Sequence, residues 1–177
     1  MVYYMNTKIK VVDDFLPKKN FKNIQDVMLS PDFPWYYNSV IDRLDDEDKF
    51  QFQHYFYRNN RPLSSFYNEW YDMLVMPIVD WSVLDRIKAN LLTRTPEIIE
   101  NEFHTDINPP TKPLTTSIFY VNTNNGYTKF EDGTRVESVE NRLLTFPMNM
   151  KHTGTTCTDE KIRVVINLLY MKYDETS

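Results

Sequence analysis

Glycine is scarce in this chain: three residues in 177, all of them after residue 120. Few positions are therefore marked as needing left-handed backbone angles or close main-chain approach. Cysteine is scarcer still. With Cys157 alone, no intrachain disulfide can form, and a reducing compartment fits. Met1 to Lys8 lacks a basic segment followed by an apolar core, so no signal peptide is expected. No apolar run reaches the roughly 18 residues needed to cross a bilayer. Basic charge is also short, with a formal net charge of −5. That disfavours a sequence-independent grip on nucleic acid, which depends on Lys and Arg at phosphates. Histidine occurs only three times. No internal repeat or low-complexity tract is evident. The expectation is a cytoplasmic protein, without membrane or nucleic-acid partners, forming a single domain over 1–177 with enough length for a real core.

What is present is aromatic and strand-forming, with 15% Phe, Trp and Tyr. Residues 8–12 are a short β-branched run and a predicted strand. Pro17 suits a helix start, and Phe21, Ile24 and Met28 fall on one helical face. Residues 35–41 and 50–57 read as strands, separated by a solvated loop over 42–49 that holds five acids. Ser64 is a helix N-cap candidate. Phe66, Trp70, Met73 and Leu74 give that helix its apolar face, and Pro77 is expected to end or kink it. From residue 84 the character changes. Strands are predicted over 84–95, 98–103, 114–122, 134–139, 142–146 and 161–173. The Asn125-Gly126 pair is a strong hairpin signal and Asp132-Gly133 marks a second turn. Such a run suggests an antiparallel jelly roll. The predicted fold class is α+β, mainly β: a two-sheet jelly-roll core over 84–173, with helices and strands of 1–83 packed on it.

The sequence is organised around Phe103-His104-Thr105-Asp106. On an extended strand, residues two apart share a side, so His104 and Asp106 present two metal ligands to one place. His152 is a third candidate. Two histidines and a carboxylate leave open positions suited to non-haem Fe(II) and oxygen. Arg163 stands inside the apolar stretch 162–169. A guanidinium there needs an anionic partner if buried, and its planar fork suits a carboxylate. The plainer reading is that it faces solvent or pairs with a nearby acid, and that each histidine is a hydrogen-bonded structural residue.

In that order and spacing, His104-x-Asp106, His152 and Arg163 resemble the Fe(II)/2-oxoglutarate-dependent dioxygenase superfamily, specifically its small prolyl-4-hydroxylase-like branch. Ser117-Ile118-Phe119-Tyr120-Val121-Asn122, Gly126-Tyr127-Thr128-Lys129-Phe130 and Leu143-Leu144-Thr145-Phe146-Pro147 extend the likeness over about 84–173. Gly-Tyr replaces the usual Gly-Gly, and Glu140-Asn141 replaces a frequent Gly-Asp. Arg163 stands where the prolyl-hydroxylating branch often has Lys, so proline is not carried over as substrate.

The resemblance implies a double-stranded β-helix (jelly roll). His104, Asp106 and His152 would be both the metal ligands and the catalytic centre. Arg163 would hold the far carboxylate of 2-oxoglutarate, with O2 as oxidant and ascorbate in support. It implies hydroxylation of a C–H bond in a peptidyl or small-molecule substrate, with release of succinate and CO2.

Asn90 resembles part of an Asn-x-Tyr segment that holds the cosubstrate in some relatives, the alternative being a structural strand residue. Thr116 and Tyr120 share a strand face and are further cosubstrate candidates, against core packing. Asn167 shares parity with Arg163. His54 and Cys157 read as structural. Two other functions remain open: a zinc-dependent hydrolase using the same triad, and a non-catalytic jelly-roll protein with a vestigial site.

Overall fold

The structure is a computed structural model. It describes residues 8–41, 49–79, 83–106 and 114–171, together with the main chain of 2–6. In chain order the elements are β1 (Val2–Asn6), β2 (Ile9–Val12), α1 (Lys18–Met28), β3 (Tyr36–Asn38), β4 (Gln51–Arg58), β5 (Arg61–Pro62) and α2 (Ser65–Trp70). A π-helical turn (Tyr71–Val75) then leads into α3 (Met76–Val79). There follow β6 (Val83–Thr93), β7 (Thr115–Tyr120), β8 (Tyr127–Phe130), β9 (Arg135–Glu137), β10 (Arg142–Pro147), β11 (His152–Gly154) and β12 (Ile162–Met171).

Two antiparallel sheets form a jelly roll, as the strand pattern predicts. The larger runs β1-β2-β10-β7-β12-β6-β4-β3, with β5 on β4, and the smaller runs β11-β8-β9. The N-terminal half thus supplies both edges of the large sheet as well as the helices.

Period-two alternation gives the two faces of the large sheet different work. On one face, Val164, Ile166, Leu168 and Tyr170 of β12 and Ile87, Ala89 and Leu91 of β6 pack with Phe21, Ile24 and Met28 of α1 and Trp70, Leu74 and Ile78 of the second helical segment. The other face turns toward the small sheet. At one end it is apolar, where Ile9, Val11, Ile118, Tyr120, Leu144 and Phe146 close on Phe130 and Val136. At the other end β6 and β12 present Arg86, Lys88, Asn90, Arg163 and Asn167 instead, and a cavity opens between the sheets.

Several local expectations need correcting. Asn125-Gly126 closes no hairpin, because β7 belongs to the large sheet and β8 to the small one. The chain crosses between sheets there, held by Asn124 Oδ1 accepting from the Gly126 N–H at 3.0 Å and by Asn125 Nδ2 donating to Thr158 Oγ1. Asp132-Gly133 does turn β8 into β9, with Gly133 at φ +88°.

Residues 98–103 form no strand. They lie along β11, but Glu100 bridges Thr155 while His104 bridges His152, a one-residue slip that breaks the ladder. Pro77 does not stop its helix. It falls at the second residue of α3, just past the π-helical turn, where a missing N–H is tolerated. The strand predicted over 35–41 shortens to Tyr36–Asn38. Strands β1, β5, β8 and β11 are additional. The acidic loop over 42–48, the proline-rich stretch over 107–113 and the last residues of the 161–173 strand lie outside the described residues. Among the described residues, no helix is long and apolar enough to cross a membrane.

Candidate metal and cosubstrate site

His104 and His152 meet as an isolated antiparallel bridge. Each main-chain N–H donates to the other's carbonyl at 3.0 Å, and the ring centroids are 4.7 Å apart. Each ring is oriented by its own chain. His104 Nδ1 bonds the Glu102 carbonyl at 3.2 Å, and His152 Nδ1 bonds the Met150 carbonyl at 3.1 Å. With Nδ1 so used as donor, Nε2 is the nitrogen left for ligation, the pattern by which outer partners fix a metal-binding tautomer. Phe146 packs edge-on against the His152 ring at 4.7 Å. Burial lowers the His152 imidazole below its ordinary value, only partly opposed by the Asp106 charge. It is therefore neutral and a competent ligand near pH 7.

Asp106 lies beside them. Burial works to raise its carboxyl, but His152, Arg86, the Thr116 hydrogen bond and His104 outweigh burial and hold it below the usual range. The carboxylate is ionised, and both oxygens are engaged: Oδ1 accepts from Arg86 Nη2 at 2.9 Å and Oδ2 from the Thr116 hydroxyl. As the side chains stand, no three His, Cys, Asp or Glu groups among the described residues surround a common point. The two imidazoles face each other, and the carboxylate is drawn toward Arg86. Two imidazoles and one ionised carboxylate nonetheless make the donor set of a 2-His-1-carboxylate centre. A metal ion there would compete with Arg86 for Asp106.

The cavity, of about 270 Å3, is lined by His104, Asp106, His152, Asn90, Asn167 and Arg163, among others. Arg163 is 4% exposed and makes no ion pair among the described residues. Its Nε donates to Ser138 Oγ at 2.8 Å and its Nη2 to Thr128 Oγ1 at 3.4 Å, while its guanidinium carbon sits 5.8 Å from the centre of the Tyr120 ring. Burial lowers its pKa, yet a guanidinium stays protonated. A fully buried cation held only by hydroxyls and a ring is costly unless an anion joins it.

Two of the three glycines make room for this side chain. A Cβ on Gly126 would lie 2.7 Å from Arg163 Cδ, and one on Gly154 would lie 3.4 Å from Nη1. The glycine in the Asn125-Gly126 pair thus serves close approach rather than a turn.

The remaining predicted residues fall in three places. Asn90 lines the cavity, and its Oδ1 is buried without a hydrogen-bond partner. Thr116 holds Asp106 from behind. Tyr120 is fully buried beneath Arg163, donating its hydroxyl to Thr128 Oγ1 at 2.7 Å, and neither it nor Thr116 lines the cavity. His54 is remote, packed between Phe33 and Phe56.

Sequence reasoning missed Arg86, Asn101, Thr128 and Ser138. Arg86 had a usable signal: with Lys88 and Asn90 it forms a polar period-two series within a strand whose alternate residues are Ile87, Ala89 and Leu91.

No protein-family model matches the chain, and no curated protein matches it in sequence. Solved structures do. An oxidoreductase of the 2OG-Fe(II) oxygenase family from Burkholderia pseudomallei superposes with TM-score 0.70 at 8% identity, over 96% of this chain and 87% of that one. A prolyl hydroxylase from Trichoplax adhaerens, in complex with a hypoxia-inducible-factor oxygen degradation domain peptide fragment, gives 0.62 at 12% identity, over 94% and 84%. The viral collagen prolyl hydroxylase of Paramecium bursaria Chlorella virus-1, in its 2OG complex, gives 0.54 at 11%, over 95% and 98%. At these identities the likeness establishes the fold: this chain has the jelly roll of 2OG-Fe(II) oxygenases, prolyl hydroxylases included.

Proposed function

We propose that this chain is a non-haem Fe(II)- and 2-oxoglutarate-dependent dioxygenase that hydroxylates a C–H bond of a peptidyl or small-molecule substrate. One observation carries the reading. The buried Arg163 guanidinium, without a carboxylate partner among the described residues, lines the same cavity as His104, Asp106 and His152. A buried guanidinium beside such a donor set is accounted for by an anionic cosubstrate.

His104, Asp106 and His152 would hold Fe(II) through the two Nε2 atoms and a carboxylate oxygen. The bound metal would couple oxidative decarboxylation of 2-oxoglutarate, which yields succinate and CO2, to substrate hydroxylation by O2, with ascorbate as supporting reductant. The chain's own part is binding and orientation. Arg163 receives the far carboxylate of 2-oxoglutarate as a charge-assisted pair in a poorly solvated pocket. Ser138 and Tyr120 fix the guanidinium in place, and Thr116 fixes Asp106. Asn90 stands between the two ends with an acceptor to offer. Residues 1–177 act as one domain, and the cytoplasm supplies the reducing setting that Fe(II) requires.

The test is succinate formation by purified protein with Fe(II), ascorbate and 2-oxoglutarate. Succinate above background, lost in His104→Ala and in Asp106→Ala, is the expected result. Turnover with zinc and no requirement for 2-oxoglutarate would replace this reading with a hydrolase. Absence of Fe(II) binding by calorimetry would leave a vestigial site.

A further inference from the structure

The stretch that carries His104 and Asp106 is a strand of neither sheet. It meets β11 and the residue after it at two isolated bridges, Glu100 to Thr155 and His104 to His152, with the one-residue slip between them. Ile99 and Asn101 add hydrogen bonds to Thr156, Thr153 and Gly154. All of these ties stop at β11 and its extension.

Glu100 reaches further. Its side chain passes over β11 to β8, where Oε1 accepts from the Tyr127 hydroxyl at 2.7 Å and from Lys129 Nζ at 3.0 Å. Oε2 accepts from the same Lys129 Nζ at 2.7 Å. Arg135 of β9 lies 3.5 Å from Oε1, and its guanidinium carbon sits 4.5 Å from the centre of the Tyr127 ring.

Register explains the aim. Thr155 bridges Glu100 on one side, and its N–H donates to the Tyr127 carbonyl on the other, so the three residues stand in one row. On β8, Tyr127 and Lys129 alternate with Thr128, which lines the cavity, and with Phe130, which packs against the large sheet. The tether therefore acts from the face opposite the cavity. Lys129 first, and Tyr127 next, hold the Glu100 carboxyl below the usual carboxylate range, so the tether is charged near neutral pH. A lone exposed ion pair contributes little. Here one carboxylate serves three partners, and the Glu100 and Lys129 side chains are only 31% and 23% exposed.

Resting on the reading above, we propose that Glu100 is a positioning residue, which through Tyr127 and Lys129 holds the segment of His104 and Asp106 on β11 and so keeps His104 against His152. With no continuous ladder behind it, this segment opens locally when the tether is cut, at a cost well below that of unfolding the jelly roll. His104 then loses its fixed place beside His152, and ligation weakens before the fold does.

The test compares wild type with Glu100→Ala, Glu100→Gln and Tyr127→Phe. Glu131→Ala, which breaks the exposed ion pair to Lys151 beside the same small sheet, is the control. Two quantities are read: hydrogen exchange at the His104 and His152 amides in the metal-free chain, and Fe(II) affinity by anaerobic calorimetry. Glu100→Ala should speed exchange at both amides about tenfold and weaken Fe(II) about tenfold. Its 2-oxoglutarate affinity at saturating Fe(II) should stay that of wild type, because Arg163 stands on β12. Glu100→Gln keeps an acceptor for Tyr127 and Lys129 and should recover part of the loss, and Tyr127→Phe should show a smaller one. Unchanged exchange in Glu100→Ala, or unchanged Fe(II) affinity in a chain that binds Fe(II), would overturn the proposal and leave the oxygenase reading standing. So would a matching loss of 2-oxoglutarate affinity, or a Glu131→Ala that behaves as Glu100→Ala does. Faster exchange in Glu100→Ala, in a chain that binds no Fe(II) and forms no succinate, would sink the oxygenase reading and leave the tether on His104.

Discussion

His104 and His152 exchange both main-chain hydrogen bonds across the only two-way bridge that residues 98–106 make to β11, and their rings stand 4.7 Å apart. Each ring is placed by backbone pairing and by a carbonyl two residues earlier in its own chain.

It follows that either histidine can be removed without unravelling its partner. His104→Ala and His152→Ala are expected to lose Fe(II) binding by at least 100-fold in calorimetry, with retained near-ultraviolet circular dichroism. His54→Phe should bind Fe(II) as wild type does. Thr116→Val, which removes the hydroxyl on Asp106 but keeps the branched shape, should weaken the metal by about 10- to 100-fold.

Arg163 reads out differently. Arg163→Met is expected to bind Fe(II) normally and to weaken 2-oxoglutarate by about 100-fold, as loss of a bidentate charge-assisted contact would. Arg163→Lys should recover part of it, keeping the charge without the fork. Gly126→Ala attacks the same side chain from the other side. Its Cβ would fall 2.7 Å from Arg163 Cδ and 2.7 Å from the Thr156 carbonyl. Overpacking of this kind costs about 1–3 kcal/mol, so a lowered Tm together with weakened 2-oxoglutarate is expected. Gly133→Ala has open space around it and only the φ of +88° to oppose it. It should lose about 1–2 kcal/mol and leave the cosubstrate untouched.

The pH dependence of stability has a definite sign. His152 and His54 are both held below the ordinary 6.5, in each case by burial first. Below pH 6.5 the unfolded chain takes up protons that the folded chain refuses. Stability is then full above pH 6.5 and is lost as pH falls toward the folded values, by up to about 1.4 kcal/mol per pH unit for each histidine. Tm measured with a chelator between pH 7.5 and 5 should show this fall, and His54→Phe should reduce its slope. A Tm that stayed level or rose on acidification would contradict the buried neutral state.

The sequence made the jelly roll legible because strand alternation is local, and Val164, Ile166 and Leu168 against Arg163, Val165 and Asn167 announce two faces without any structure. The order His104, Asp106, His152, Arg163 was legible as a resemblance to a known family, although of the four only Arg163 lies on a predicted strand. Partner choice was not. Whether Asn125-Gly126 closes a hairpin depends on which sheet takes up β8, and β8 pairs with β9 and β11, with Phe130 and Val136 buried against the large sheet. Arg86 escaped notice because its significance lies in the register that sets β6 beside β12 and brings it to Asp106. Residues 98–103 carry a strand-like composition, but the one-residue slip against β11 is a tertiary event.

Asn141 offers the sharpest test of whether the N-terminal half and the jelly roll are one folding unit, as proposed. Its side chain closes a two-way clamp on Leu16, accepting from the Leu16 N–H and donating to the Leu16 carbonyl, each at 2.9 Å. Its own carbonyl accepts from the Phe15 N–H, and its N–H donates to the Tyr120 carbonyl. It does this at φ +59°, a left-handed angle that Asn tolerates better than most residues. Asn141→Ala strands two buried main-chain groups and adds backbone strain, about 2–5 kcal/mol together. Asn141→Gly relieves the strain but still strands Leu16, so it should be less harmful by about 1 kcal/mol. If residues 1–83 and 84–173 unfold together, both variants shift one cooperative transition, seen alike by Trp fluorescence and by far-ultraviolet circular dichroism. Two transitions, of which only the one reporting the helices moves, would divide the chain and withdraw the single-domain proposal.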